Sequence, residues 1–213
     1  MDEEEGLLTK KFHLKTSEIL QGDFKLNDLN LMLVFQVNCP GCFIHALPAA
    51  NKIAENYQAK GLKVLGLSTA FEDFEHNTLD NTKRLLQDGT IVGETKKALN
   101  KAGQNKFPAK LQFDIAFDDL QKSDQLKMKE QIDQFAQSIP DYAGKNDVEK
   151  KLMQAQIKEY LSNKTMNAFT FDSNFLMGTP SWILFDRDFN ILFEFFGHKE
   201  YEAIEALLNQ HIR

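Results

Sequence analysis

Apolar and polar positions alternate along this chain in blocks that change period several times. Leu31-Met32-Leu33-Val34-Phe35-Gln36-Val37 is apolar nearly throughout, the pattern of a strand buried on both faces. Phe43, Ile44, Leu47, Ala50, Ile53, Ala54 and Tyr57 then recur at helical spacing, which predicts a helix ending near Gly61. Pro48 falls inside it and should kink it. Val64–Ser68 reads as a second buried strand, so strand, helix and strand form a βαβ unit with short joints. Residues 78–87 and 94–102 read as two helices broken at Asp88-Gly89, and Leu111–Phe117 as a strand. Thr179–Phe185 and Ile191–Phe196 read as antiparallel strands around a turn at Asp186–Asn190. An amphipathic helix over 200–211, carrying Ile204, Leu207 and Leu208, closes the chain.

Two stretches depart from this rhythm. Before the first apolar run, Phe12, Leu14, Ile19 and Leu20 alternate only loosely, and Phe24–Leu26 is expected as a short strand before Asn27-Asp28. Residues 119–165 are rich in Lys, Gln, Asp and Glu. There Met128, Ile132, Phe135 and Ile139 form one apolar stripe, and Leu152, Met153, Ala155, Ile157 and Tyr160 suggest another, with Pro140 and Gly144 between them. This predicts a helical hairpin inserted into the α/β unit: a packed surface element, with a lid or a dimer contact as the alternatives.

Composition narrows the classes. The 213 residues suit one domain with an insertion, 1–213 carrying 119–165, and 42% hydrophobic content with 18 Phe supplies a core. A formal charge of −6 argues against nucleic acid or an anionic membrane as partner. Met1-Asp2-Glu3-Glu4-Glu5 opens what reads as a mobile acidic tail without a secretory signal, and no run reaches transmembrane length. The expected location is therefore cytoplasmic, or periplasmic or exported if the N-terminus has been trimmed.

The only two cysteines stand in Asn38-Cys39-Pro40-Gly41-Cys42, at the end of the first buried strand and the start of the helix. Ligands of open α/β sheets bind at such strand ends. A helix start offers unpaired N–H groups and partial positive charge, both favouring thiolate over thiol. Cys39 is placed to attack and Cys42 to displace a mixed disulfide. Pro40 and Gly41 shape the turn between them. The predicted chemistry is dithiol–disulfide exchange, with the cysteine pair itself as the redox group and no further cofactor. Its partners would be a disulfide-containing protein or a small thiol, together with an electron donor or acceptor.

Cys39-Pro40-Gly41-Cys42 on a βαβ unit, with Gly178-Thr179-Pro180-Ser181 opening a late strand before a hairpin and helix, resembles the thioredoxin superfamily. The order of elements is most similar to TlpA/ResA-type thiol–disulfide oxidoreductases, over about residues 20–117 and 170–210. The resemblance implies a thioredoxin-like α/β fold, a central mixed sheet flanked by helices, with Leu111–Phe117 as the extra strand of that group. It implies that Pro180 is cis beside the dithiol, keeping metal from the sulfurs, and that Thr179 pairs with an extended substrate chain. Such pairing adds a strand to an exposed backbone edge. Three departures are plain: Asn38 stands where an aromatic is usual, Leu33 where many thioredoxins bury a proton-relay acid, and Pro48 lies six residues after Cys42 rather than five.

Other readings use the same residues. A peroxidase using Cys42 would want Thr or Ser at 39 and Pro at 35, and an Arg before the late strand; Cys39, Phe35 and Thr179-Pro180-Ser181 stand there, and Arg187 comes only in the turn. His45, three residues past Cys42, shares its helix face and is read as a supporting residue, acting on the thiolate or merely half-buried. Cys39, Cys42 and His45 make a poor metal set, since no second pair of ligands follows, and no metal is expected. Asp186–Asn190 mimics a calcium loop but lacks its Gly and Glu. Gly93-Glu94-Thr95-Lys96 lacks the spacing of a phosphate loop and reads as a helix start, and Trp182 as core or groove wall. A non-catalytic binding module with an incidental disulfide completes the alternatives.

Overall fold

The structure, a computed structural model, describes residues 10–122, 128–139 and 142–212, with the side chains of Met128 and Glu130 outside the description. The acidic stretch 1–9 and Pro140 also lie outside it.

A six-stranded mixed sheet carries the molecule. Its strands are β1 (Thr16–Gln21), β2 (Leu29–Phe35), β3 (Leu62–Ser68), β4 (Asp114–Asp118), β7 (Ser181–Asp186) and β8 (Ile191–Phe196). The spatial order is β1-β4-β3-β2-β7-β8. β2 and β3 run parallel, Leu31 opposite Val64, as do β3 and β4; β2–β7, β7–β8 and β1–β4 are antiparallel. The continuous apolar run finds its explanation here: β2 is central, and its successive side chains enter different cores. Leu31, Leu33 and Phe35 face one core with Ile53, Leu85, Trp182 and Ile204, while Met32 and Val34 face another with Phe12, Phe171, Ile183 and Phe185.

The first core lies under α1 (Leu47–Tyr57), α2 (Leu79–Asp88), α3 (Gly93–Lys101) and α7 (Tyr201–Leu208). Ile204 and Leu208 are the buried residues of α7. The second core is closed by the N-terminal segment and by α6 (Phe169–Ser173). A fully buried Leu or Phe contributes roughly 1.5–3 kcal/mol through apolar burial.

Between β4 and α6 the chain makes a ribbon of β5 (Leu120–Lys122) and β6 (Met166–Ala168), which carries a hairpin of α4 (Met128–Ser138) and α5 (Asp147–Ser162). The hairpin has its own small core of Ile132, Phe135, Ala136, Ile157 and Leu161. α5 starts in a capping box, Asn146 accepting from the Val148 and Glu149 N–H groups while Glu149 accepts from the Asn146 N–H. The stripe on α4 is as expected at Ile132 and Phe135. On α5 it is turned: Ile157 and Leu161 go inward, while Leu152 and Tyr160 are exposed.

The structure corrects two local expectations and shows how the helix accommodates its proline. Residues 24–26 form no strand; Phe24 takes a left-handed φ of 53° and its N–H donates to Asp114, which bends the chain away from the sheet. The strand expected over 111–117 begins at Asp114, because Leu111 and Phe113 are buried outside the ladder. Pro48 is accommodated by a π-turn over Cys42–Ala46, in which the Leu47 N–H reaches back to the Cys42 carbonyl. The wider turn gives room to a ring that would otherwise meet the carbonyl four residues earlier, and Pro48 then sits in the first turn of α1, where its missing N–H costs little.

Candidate functional site

β2 delivers Cys39 to the end of the sheet, and helical turns begin at Pro40. Pro suits this first helical position because the N–H it lacks would have no partner there. Cys39 takes the place of a capping residue: its carbonyl accepts from the N–H groups of Cys42 (3.0 Å) and Phe43 (3.4 Å), and the Cys42 N–H also points to Cys39 Sγ at 3.2 Å. The two sulfurs face each other at disulfide distance, with Cα atoms 5.3 Å apart. Cys42 is fully buried and Cys39 is only partly so, which leaves Cys39 as the sulfur facing outward.

The late loop meets this turn from across the sheet. The Thr179-Pro180 peptide is cis, and the Thr179 carbonyl oxygen lies 3.5 Å from Cys39 Sγ. The Thr179 hydroxyl donates to Gln36 Oε1 at 3.2 Å, the Ser181 hydroxyl to the Gly178 carbonyl at 2.7 Å, and the Gly197 N–H to the Pro180 carbonyl at 2.8 Å. Thus Cys39, Cys42, Thr179 and Pro180 are brought together although about 140 residues part the two pairs. Gly41 adopts a right-handed conformation and a Cβ there would meet nothing within 4 Å, so it leaves bare backbone beside the sulfurs rather than filling a tight space.

His45 is exposed and packs on His198, ring centroids 4.1 Å apart, and His198 in turn contacts Glu200 at 3.1 Å. Among the described residues no group of three or more His, Cys, Asp or Glu side chains is placed to hold a metal. Leu33 is fully buried among apolar neighbours. Arg187 pairs with Asp28 at 2.8 Å, at the start of β2 and so roughly 20 Å from the dithiol end of that strand. The Asp186 carboxylate accepts from Asp188, Asn190 N–H and the Asn190 amide, which makes the calcium-like segment a self-satisfied hairpin turn.

Asn38 has a part that the sequence did not disclose. Its N–H donates to Asn77 Oδ1 (2.9 Å), its amide to Asp73 (2.8 Å), and its Oδ1 accepts from the Glu94 N–H (2.6 Å). α3 has no side-chain cap from its own Val92, and Asn38 supplies one from across the fold. Gly93, at φ 49°, is required by this contact, since a Cβ there would fall 2.1 Å from Asn38 Oδ1. Gln36 was likewise missed; a single amide inside an apolar run was the signal for it. A cavity of about 210 Å³ lies between residues 174–177 and strands β7 and β8, with Met177, Trp182, Phe195 and Phe196 in its wall.

With this geometry in hand, the likeness to solved structures is clear. A thiol-disulfide isomerase from Corynebacterium glutamicum superposes with a TM-score of 0.56 at 21% identity, over 96% of this chain and 97% of that one. The thioredoxin-like superfamily protein SPOA0173 superposes at 0.55 with 18% identity, over 95% of each chain. A thioredoxin-like protein in its oxidized form gives 0.51 at 13% identity, over 96% and 95%. The fold is thioredoxin-like. No protein-family model matches the sequence, and a search of curated proteins finds no match. No helix among the described residues is long and apolar enough to cross a membrane.

Proposed function

We propose that the protein is a thiol–disulfide oxidoreductase of the TlpA/ResA kind. The observation that carries this reading is the meeting of a partly buried Cys39 and a fully buried Cys42 at a helix start with the Thr179 carbonyl, 3.5 Å from Cys39 Sγ. In the reduced protein the Cys42 N–H and the helix start favour Cys39 as thiolate. That thiolate attacks one sulfur of a substrate disulfide. The substrate S–S bond breaks, its other sulfur leaves as thiolate and takes up a proton, and a Cys39–substrate disulfide forms. Cys42 then gives up its proton and attacks Cys39 Sγ, which releases the second substrate sulfur and closes the Cys39–Cys42 disulfide. The substrate gains two electrons and the protein loses two.

Pro40 and Gly41 hold the turn open to a partner, and Thr179 with Pro180 offers backbone to an extended chain bearing the disulfide. With Leu33 in place of an acid, the Cys42 proton passes to water or to the departing sulfur. The pair itself carries the electrons, so the reaction calls for a reductant, a small thiol or a dithiol protein, and for no further cofactor or metal. In a reducing cytoplasm the exchange runs toward substrate reduction. His45 supports the turn through its packing on His198. Attack of peroxide at Cys42 is disfavoured by that sulfur's burial.

Replacing Cys42 by Ser tests the reading. The variant should accumulate mixed disulfides on Cys39, released by dithiothreitol, while the unaltered protein catalyses insulin reduction. Peroxide turnover that survives loss of Cys39 would establish the peroxidase instead. Unchanged behaviour after loss of either cysteine would leave only a binding module.

A further inference from the structure

The segment 174–180 joins α6 to the Thr179–Pro180 corner, and it is held at both ends. Asn174, buried, donates from its amide to the carbonyls of His13 and Thr170, 2.7 Å each, and accepts from the His13 N–H at 2.9 Å. At the far end Gly178 lies against Phe196, so closely that a Cβ there would come within 2.6 Å of the ring. Between these anchors α6 ends in a two-bond cap. The Phe175 N–H donates to Asp172 and the Leu176 N–H to Phe171. This cap puts residue 175 in the left-handed region, φ 54°. Glycine is the usual occupant of that slot, because a bulky side chain is strained there.

The chain places a phenylalanine in it instead, and leaves that residue 49% exposed. Its ring meets Phe135 of α4 edge-on, centroids 4.7 Å apart. Phe135 belongs to the separate core of the α4–α5 hairpin. A side chain kept where glycine would be easier, and outside both main cores, ties this segment to Phe135 and walls the cavity beside β7 and β8.

We infer that Phe175 is a positioning residue, through which the α4–α5 hairpin sets the Thr179–Pro180 corner against Cys39 for the grip on a polypeptide substrate. The inference rests on the thiol-exchange reading above and deepens it. A substrate chain that pairs with Thr179 requires the corner to be in place before binding, whereas a small disulfide needs only the sulfur. The hairpin therefore governs the affinity for polypeptide disulfides and not the reactivity of the dithiol.

Phe175→Gly removes the ring while giving the backbone its preferred residue, so the fold is spared. Initial rates are measured with insulin, and separately with oxidised glutathione, dithiothreitol being the reductant in both. The expected result is a rise of fivefold or more in KM for insulin, with kcat for insulin and the rate with glutathione within twofold of the unaltered protein. Phe175→Tyr should restore KM to within twofold. Phe135→Ala should raise KM as Phe175→Gly does, and the double variant no further. An unchanged KM in Phe175→Gly, no recovery with tyrosine, or an equal loss on both substrates overturns the inference. If the unaltered protein exchanges with neither substrate, the thiol-exchange reading falls and takes the inference with it. If it exchanges and Phe175→Gly behaves identically, the inference falls alone.

Discussion

Replacing Gly93 by alanine tests how the residue next to the dithiol is held in place. Two costs are separable. At φ 49° an alanine carries left-handed strain of about 1–2 kcal/mol. Its Cβ would also sit 2.1 Å from Asn38 Oδ1, so the Asn38 side chain must leave. Two contacts then go: the cap on the Glu94 N–H at 2.6 Å and the bond to Asp73 at 2.8 Å. Loss of a capping side chain costs about 1 kcal/mol, and the bond to an exposed Asp73 adds about 0.5 kcal/mol. Gly93→Ala should therefore lose about 3 kcal/mol in urea unfolding of the reduced protein, and Asn38→Ala about 1.5 kcal/mol. With Asn38 already truncated, Gly93→Ala should cost the backbone part and a small shift of the partly exposed His76 ring, whose Cδ2 would lie 2.8 Å from the new Cβ in both backgrounds, so the double variant falls about 1.5 kcal/mol short of additivity. Strictly additive losses would show that the clash is relieved without moving Asn38, and would refute the reasoning.

Two further outcomes follow from the structure. Asp118 is fully buried, and burial pushes its carboxyl up to about 6 although Thr69, Thr170, Phe171 and Asp119 donate to it. The folded protein thus holds this proton more tightly than the unfolded chain. The stability it contributes is full below about 4 and is lost as pH rises through about 6. Relative to Asp118→Asn, the unaltered protein should gain about 2 kcal/mol between pH 7 and pH 4, and a flat difference in urea titrations would contradict this. Asn146→Ala breaks the capping box of α5 and should cost about 1 kcal/mol or shift hydrogen exchange in the hairpin by the same amount, with glutathione exchange at the dithiol unchanged.

Long-period features were legible in the sequence because they follow from burial. β2 declared itself through five successive apolar residues, each facing a core, and the α1 face through Leu47, Ala50 and Ile53. Other elements had no such signature. β1 is an edge strand with no fully buried residue and two irregularities in its register, so no clean alternation survives. α6 is buried on every side, so Phe-Thr-Phe-Asp-Ser shows no helical period. At the site, Cys39 and Cys42 could be singled out by residue type and spacing, and Pro180 only through the family resemblance that Gly178-Thr179-Pro180-Ser181 helped to carry. The bonds of Asn38 run to positions 35 to 56 residues away, and the pairing of Phe175 with Phe135 crosses between elements. Contacts of that kind leave no trace in local pattern.

The account depends on Cys39 being the ionised and reachable sulfur. Alkylation of the reduced protein by iodoacetamide, followed across pH and assigned to each cysteine by peptide mass spectrometry, measures this directly. Cys39 should react with a midpoint well below the ordinary thiol value of about 8.5, and Cys42 should stay unmodified until the protein is unfolded. A midpoint at or above the ordinary value, or first modification at Cys42, would contradict it.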